Sequence, residues 1–221
     1  MIESEPLKPT ELLAPELELS LAPFINISSF VNGFVQEMKV ALQNAKEGVI
    51  YSNGDYYCGG IVDGLQNGYG LYKSHEGWIY SGDFRKGCFD GYGLIKYADG
   101  SCYKGYWKNG EQVGQGEFLT IEGDRYIGFF VNGVLEGQAT FIHSNGERIS
   151  GTFLHGILSG FGHAFFSNGE YWGTFENGLM HGQGTYYFNN GDKYCGQFRE
   201  GKMKGFGEYR WADGTTCKKN W

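Results

Sequence analysis

The sequence has no run of about 20 apolar residues, the length that a helix needs to cross a bilayer. Its N-terminus, MIESEPLKPTELL, is acidic, whereas a secretory signal begins with basic residues. The five cysteines are odd in number and show no C-x-x-C spacing, which favours a reducing compartment over a disulfide framework. Together these absences predict a cytoplasmic protein.

The sequence also lacks an excess of basic residues. Its formal net charge is -7, and residues 109–192 alone carry -7, while residues 193–221 carry +4. A nucleic-acid-binding surface needs clustered basic side chains that replace the counterions on phosphates. The acidic middle of the chain therefore predicts no nucleic-acid partner, and only the C-terminal end favours an anion.

Motifs of catalytic and metal sites are missing as well. Gly-x-Gly recurs, as at 68–70, but no Gly-Lys-Ser/Thr and no helical pattern follows it, so it does not predict a phosphate loop. No G-x-S-x-G elbow occurs, and the five histidines have no Cys or His partner at the spacing of metal ligands. We predict no catalytic residue, no metal site and no cofactor.

Glycine and aromatic residues are abundant instead. The chain has 38 glycines and 17% aromatic residues but only 4 prolines, which predicts many short strands joined by tight turns. A period of 23 residues runs from Tyr57 towards the C-terminus, preceded by a half-repeat at 48–56. Seven repeats begin at Tyr57, Tyr80, Tyr103, Tyr126, Ile149, Tyr171 and Tyr194.

Each repeat has a fixed pattern when positions are counted from its opening residue. Glycine recurs at positions 3, 8, 12, 14 and 21, and position 5 is aromatic in six of the seven repeats. Positions 1, 3 and 5 lie on one side of a strand, so that face presents Tyr, Gly and an aromatic ring. Position 16 of the neighbouring strand is usually aromatic too, and its ring can lie over these glycines. Each repeat is therefore predicted to be one β-hairpin.

Asn-Gly and Asp-Gly pairs are predicted to join the strands as hairpin turns, because glycine tolerates positive φ. In the 23-residue repeats we predict a three-residue loop with a glycine bulge, which sets position 16 opposite the next Tyr. The fifth repeat has only 22 residues. There we predict a type I′ turn at Asn168-Gly169 that places Phe166, instead of Ala164, opposite Tyr171. The turn pairs lie at 53–54, 99–100, 145–146, 168–169, 190–191 and 213–214.

The run YSGDFRKG at 80–87, followed by GYG at 91–93, resembles the MORN (membrane occupation and recognition nexus) repeat. The resemblance covers about three-quarters of the chain. The departures are Ile149 for the opening Tyr, Ile61 at position 5, the short fifth repeat, and Cys217 where an eighth Tyr would stand. The resemblance implies roles in tethering or recognition at membranes, the cytoskeleton and cilia.

The predicted fold is mostly β: an elongated single-layer antiparallel sheet of tandem β-hairpins at 48–221, with one N-terminal amphipathic helix. Residues 1–23 are predicted to be a flexible acidic tail, and residues 24–47 to contain a capping helix. Docking of this helix to a partner or a membrane is the alternative, although its polar face lacks the basic excess of a membrane-surface helix. Its apolar stripe is Phe30, Val31, Phe34, Val35, Met38, Ala41 and Leu42.

A single sheet with rows of rings on one face predicts an apolar groove that binds a helix or an extended segment of a partner protein. We therefore predict a non-enzymatic scaffold or adaptor. The groove residues are predicted to be Tyr80, Phe84, Tyr103, Trp107, Tyr126, Phe130, Phe153, Tyr171, Phe175, Tyr194 and Phe198.

Two alternatives stay open. The first is weak binding of phosphoinositides or other acidic lipids, as a membrane tether, through the basic C-terminal end. The second, implied by the resemblance, is that the chain is the targeting module of a larger enzyme, because MORN arrays sometimes accompany kinase or methyltransferase domains. The residues predicted for lipid or anion binding are Lys202, Lys204, Arg210, Lys218 and Lys219.

Overall fold

The computed structural model describes residues 48–221, which contain sixteen β-strands and no helix. The predicted tail at 1–23 and the predicted helix at 24–47 lie outside the described residues. The strands are β1 (Val49–Ile50), β2 (Tyr56–Val62), β3 (Leu65–Lys73), β4 (Ile79–Arg85), β5 (Cys88–Lys96), β6 (Cys102–Lys108), β7 (Glu111–Leu119), β8 (Arg125–Val131), β9 (Val134–Ile142), β10 (Arg148–Leu154), β11 (Ile157–Phe166), β12 (Gly169–Glu176), β13 (Leu179–Phe188), β14 (Lys193–Arg199), β15 (Lys202–Arg210) and β16 (Thr216–Asn220).

All sixteen strands form one open sheet in which the spatial order equals the chain order. Each strand pairs antiparallel with the strands before and after it, so every repeat contributes one hairpin. This confirms the prediction of a mostly β, single-sheet array of tandem hairpins. We call the face that carries positions 1, 3 and 5 the inner face, and the opposite one the outer face.

Within each repeat, the two strands are joined by a two-residue turn at positions 7 and 8. Both residues have positive φ, as at Lys86 (49°) and Gly87 (83°), and Arg85 pairs directly with Cys88 across the turn. Such type I′ turns match the natural twist of paired strands. These turns were not predicted from the sequence as a class. Three of the seven begin with a residue other than Asn or Asp, namely Lys86, His155 and Glu200.

Successive repeats are joined by the predicted three-residue loops. After β3, the Ser74 N–H donates to the Trp78 carbonyl at 2.9 Å and the Gly77 N–H donates to the Ser74 carbonyl at 3.1 Å. Gly77 has φ 98°, which is the glycine bulge. Tyr72 at position 16 then pairs with Tyr80, as predicted.

The fifth repeat does not change this register, and the prediction for it was wrong. Ala164 pairs with Tyr171, and Phe166 pairs with Gly169 across a two-residue turn at Ser167 and Asn168. The missing residue shortens the loop and leaves the strands unshifted. Gly169 belongs to β12, where an added Cβ would lie 2.7 Å from the Tyr186 ring and would overlap the Tyr187 carbonyl. Glycine is therefore needed there for space and not for a turn.

A bulge bends every hairpin at the same place. In the second repeat Gly82 pairs with Gly93 and Phe84 pairs with Phe89, so the single residue Asp83 stands opposite three residues, 90–92. The central residue, Gly91, has φ 121°. Extra residues on one strand sharpen the local bend and interrupt the ladder of main-chain hydrogen bonds. The bend curves each hairpin at positions 11–13.

The core lies on the inner face and consists mainly of rings. In five repeats the opening Tyr lies over the paired glycines at positions 3 and 14, where an added Cβ would overlap or crowd its ring. Each of these rings also meets the position-5 ring of the next repeat edge to face, as Tyr57 meets Phe84 at 5.2 Å. The five buried rings are Tyr57, Tyr80, Tyr103, Tyr171 and Tyr194.

Repeats four and five interrupt this row. Position 14 of the fourth repeat is Ala139, and its methyl group is the nearest atom to an added Cβ on Gly128, so the space used by a Tyr ring elsewhere is filled. Tyr126 is only partly buried as a result. In the fifth repeat Ile149 replaces the Tyr. Leu135 and Leu158 at position 10 reach the glycines instead and are buried.

Candidate ligand-binding face

The predicted groove residues form the floor of the inner face. Ten of the eleven are buried, with exposed fractions between 0% and 5%, and Tyr126 is partly buried. Their rings contact each other, as Tyr103 contacts Trp107 at 5.2 Å and Phe130 at 5.1 Å. Direct contact of these residues with a partner stays a prediction. Their burial shows that they pack beneath the more exposed side chains of the inner face.

A second row of rings on the same face is within reach of a partner. We call it the half-exposed row, and each repeat contributes an aromatic residue to it from position 16 or position 18. All its members are partly buried except Trp211, which is exposed. Where position 16 is Ile95 or Ala164, the ring comes from position 18. The row is Tyr51, Tyr72, Tyr97, Phe118, Phe141, Phe166, Phe188, Tyr209 and Trp211.

Six of the eight neighbouring pairs in the row pack on each other or through one intervening ring; the exceptions are Tyr72 with Tyr97 and Phe141 with Phe166. Tyr97 and Phe118 have centroids 6.4 Å apart, and Phe188 and Tyr209 are 5.7 Å apart. Phe166 stacks on the buried ring of Tyr186 at 6.1 Å with an interplanar angle of 6°. The rings at position 16 were predicted from the sequence, whereas those at position 18 were not. The signal was present, because Tyr97, Phe166, Phe188 and Trp211 recur there.

Carboxylates at position 22 tie the loops beside this row together. Asp192 accepts the Tyr209 hydroxyl at 2.6 Å and the main-chain N–H of Ala212, in the next loop, at 2.9 Å. Asp55 binds the Tyr72 hydroxyl and accepts the N–H of His75 at 2.9 Å in the same way. The tyrosine hydrogen bond is the main reason that the pKa of both carboxyls lies below its usual range.

The five basic residues predicted for lipid or anion binding do not all lie on one face of the sheet. Lys218 and Lys219 are consecutive in β16, so they point to opposite faces. Lys218 pairs with Glu208 at 3.1 Å, and Lys219 lies 3.8 Å above the Trp221 ring. In the strand register, Arg210 stands opposite Lys193 and Lys202 stands opposite Arg199. Lys204 alone lines a cavity, between the sixth and seventh hairpins.

Within residues 48–221, no group of three or more His, Cys, Asp or Glu side chains is arranged to hold a metal ion. The same part of the chain contains no helix that could span a membrane. Residues 48–221 present one open sheet with a face of partly exposed rings, and a cavity at its C-terminal end.

This arrangement defines a class, the arrays of tandem β-hairpins. The MORN repeat family model matches residues 57–78, 80–102, 103–125, 126–148, 150–171, 171–193 and 194–216, so the chain belongs to the MORN-repeat family. The predicted resemblance is confirmed. MORN repeats are protein- or membrane-interaction modules, often associated with membranes or the cytoskeleton, and proteins built from them are generally non-enzymatic scaffolds.

No curated protein matches the chain. Among solved structures, the TCP domain of Drosophila melanogaster SAS-4 (dCPAP), in complex with a proline-rich motif of Ana2 (dSTIL), matches at 10% identity and a TM-score of 0.45, covering 79% of this chain and 89% of that one. The G-box domain of the microcephaly protein CPAP matches at 16% identity and 0.34, covering 78% and 90%. The TCP10 domain of Danio rerio CPAP matches at 13% identity and 0.23, covering 79% and 100%.

Proposed function

We propose that this protein is a non-enzymatic scaffold whose half-exposed row binds a helical or extended segment of a partner protein. The observation that carries the proposal is the row itself, an aromatic strip that runs across the sheet from Tyr51 to Trp211. Aromatic side chains are the commonest anchors of protein interfaces because they bury a large area with little loss of rotamer freedom.

Partly buried rings beside the row support this function by holding the row in place. Tyr72 stacks on Trp78 at 5.1 Å, and Tyr209 contacts Trp221 at 5.9 Å. Rings that are fixed before binding lose little entropy when a partner packs on them. The carboxylates of Asp55 and Asp192 fix the two hydroxyls of the row that they bind, and so add to this preorganisation.

The spacing of the row predicts the pattern of its ligand. Two strands at about 4.8 Å each separate equivalent rings by roughly 9.6 Å. A polyproline II segment rises about 3.1 Å per residue, so every third residue would face a successive ring. A helix rises about 1.5 Å per residue, so roughly every sixth or seventh residue would do so. Ligands of this face are thus expected to carry apolar residues at one of these two spacings.

The test is a selection of phage-displayed peptides on the whole chain, followed by fluorescence anisotropy of synthetic copies. We expect the selected peptides to lose at least about tenfold in affinity with Phe118→Ser or Phe141→Ser, because one anchor ring is removed. Phe129→Ser is the matched control, because Phe129 is exposed at a position-4 site on the outer face.

Circular-dichroism melting of each variant separates loss of binding from loss of fold. Equal losses with Phe129→Ser and Phe118→Ser, or selected peptides that show neither apolar spacing, would contradict the proposed use of the row.

A further inference from the structure

An acidic side chain joins hairpins near the N-terminal end of the array. Asp90, at position 11 of the second repeat, is 3.2 Å from Arg85 and 3.3 Å from Lys108, and its side chain is only 5% exposed. It also accepts the Asn109 N–H at 3.5 Å. Glu136, at the same position of the fourth repeat, accepts the His155 N–H at 2.9 Å. A carboxylate here connects the bulge of one hairpin to the turn of the next.

Near the C-terminal end this position carries basic residues instead of acidic ones. Position 11 is His181 in the sixth repeat and Lys204 in the seventh, and Arg199 stands at position 6 of the seventh, where Arg85 stands in the second. Within residues 48–221, Glu176 is the only carboxylate that forms an ion pair with one of these three, at 3.2 Å from His181. Arg199 and Lys204 thus lack the acid that Arg85 has.

A cavity of about 540 Å³ opens at this place, between the bulges of the sixth and seventh hairpins. Besides the three basic residues, its lining includes the side chains of Gln183, Asn220 and Trp221. The indole Nε1 of Trp221 is the one buried side-chain nitrogen or oxygen without a hydrogen-bond partner in the part of the chain that the structure describes. Trp107, also at position 5, donates its N–H to the Gly93 carbonyl at 3.3 Å.

We propose that this cavity binds the carboxylate of an Asp or Glu side chain in an acidic peptide segment of a partner, which takes the place that Asp90 occupies in the second repeat. A guanidinium binds a carboxylate through paired N–H donors, and Arg199 lines the cavity together with a second cation, Lys204. The surrounding segment 193–221 carries +4, which attracts an acidic chain, whereas the acidic rest of the array disfavours an anionic membrane surface.

The cavity lining contains no member of the half-exposed row, so this site is separate from the proposed function. Failure of one proposal leaves the other standing, because the two tests change different residues. The carboxylate site predicts a ligand defined by charge, and the row predicts a ligand defined by apolar spacing.

The experiment measures anisotropy of a labelled peptide of four glutamates with blocked termini against the full chain, beside the same peptide made of glutamine. We expect the glutamate peptide to bind at least about tenfold more tightly. Arg199→Gln should weaken that binding at least about tenfold, since the charge-assisted hydrogen bonds are lost. Arg210→Gln removes the same charge from the same repeat outside the cavity, and is expected to change affinity less than about threefold.

Lys204→Asp is a second variant, and its expected loss of binding does not come from loss of the fold. It places a carboxylate beside Arg199 as Asp90 lies beside Arg85, so binding of the glutamate peptide should disappear while the melting temperature stays or rises. Equal binding of both peptides, or equal losses with Arg199→Gln and Arg210→Gln, would overturn the proposal. So would Arg199-dependent binding of vesicles containing anionic lipid without any binding of the peptide, which would assign the cavity to a lipid headgroup.

Discussion

The hydroxyl of Tyr80 donates a hydrogen bond to the main-chain carbonyl of Asp83, three residues further along the same strand, at 3.0 Å. Asp83 stands opposite the bulge, where strand pairing is interrupted. The opening Tyr therefore fills the space over the glycines and binds the carbonyl beside the bulge. The same bond recurs at 2.9–3.3 Å in four other repeats, from Tyr57, Tyr103, Tyr171 and Tyr194.

Tyr80→Phe is expected to lower the free energy of unfolding by about 1 to 2 kcal/mol, because a partly buried carbonyl loses its partner while ring packing is kept. Burial raises the pKa of this hydroxyl above its ordinary value, so it remains a donor across the accessible pH range. Tyr126→Phe is the matched control, because Tyr126 opens a repeat without a hydrogen bond of this kind and should cost close to nothing. Urea unfolding of both variants measures the difference, and equal costs would show that the hydroxyl is not the cause.

Gly93→Ala should destabilise the array more than Gly162→Ala, although both glycines occupy position 14. An added methyl group at 93 would overlap the Tyr80 hydroxyl, whereas at 162 it would meet the Phe175 ring at 3.0 Å with no opening Tyr above it. We expect a loss of about 2 to 3 kcal/mol for Gly93→Ala and about 1 kcal/mol for Gly162→Ala. Ala139, the natural alanine at this position, accompanies a displaced Tyr126, as this reasoning requires. A larger loss for Gly162→Ala in thermal melts would refute it.

Gly169→Asn tests the corrected loop of the fifth repeat. Gly169 lies in a strand with no space for a side chain, while Gly146, at the same position of the fourth repeat, has φ 93° and open space around it. Asparagine is among the side chains that best tolerate positive φ. Gly146→Asn should therefore cost less than about 1 kcal/mol, and Gly169→Asn more than about 2 kcal/mol. Tolerance of Gly169→Asn in a melting experiment would instead favour the type I′ turn at Asn168-Gly169.

Acid should loosen the loops at the C-terminal end through Asp192. Its folded pKa is lowered, first by the Tyr209 hydroxyl, so the ionised form stabilises the fold above the unfolded pKa of about 3.9. That stabilisation is lost as pH falls below this value towards the lower folded pKa. We expect amide exchange at Ala212 to speed up below about pH 4 in the natural chain, beyond the ordinary pH effect. In Asp192→Asn, amide exchange at Ala212 should already be faster at pH 6, and its rate should change less on acidification.

The sequence by itself determined the repeat, the hairpin and the single antiparallel sheet, because a 23-residue period with glycines at fixed positions fits one local backbone path. It also placed Tyr72 opposite Tyr80, since the loop length and the bulge glycine set that register locally. The rings at position 5 and the opening tyrosines were predicted to share one face, because alternate residues of a strand point to the same side.

Only the tertiary structure decided which rings of the inner face are buried and which are partly exposed. Tyr80 and Tyr97 are both tyrosines of the inner face, but Tyr80 lies over Gly82 and Gly93 and is fully buried, whereas Tyr97 lies at the loop edge and is only partly buried. The fifth repeat was misjudged because its turn was judged on local preference alone, whereas pairing on both sides keeps Ala164 opposite Tyr171. The cavity at Arg199 depends equally on non-local contact: it appears only where two neighbouring hairpins bring position 6 of one beside position 11 of another.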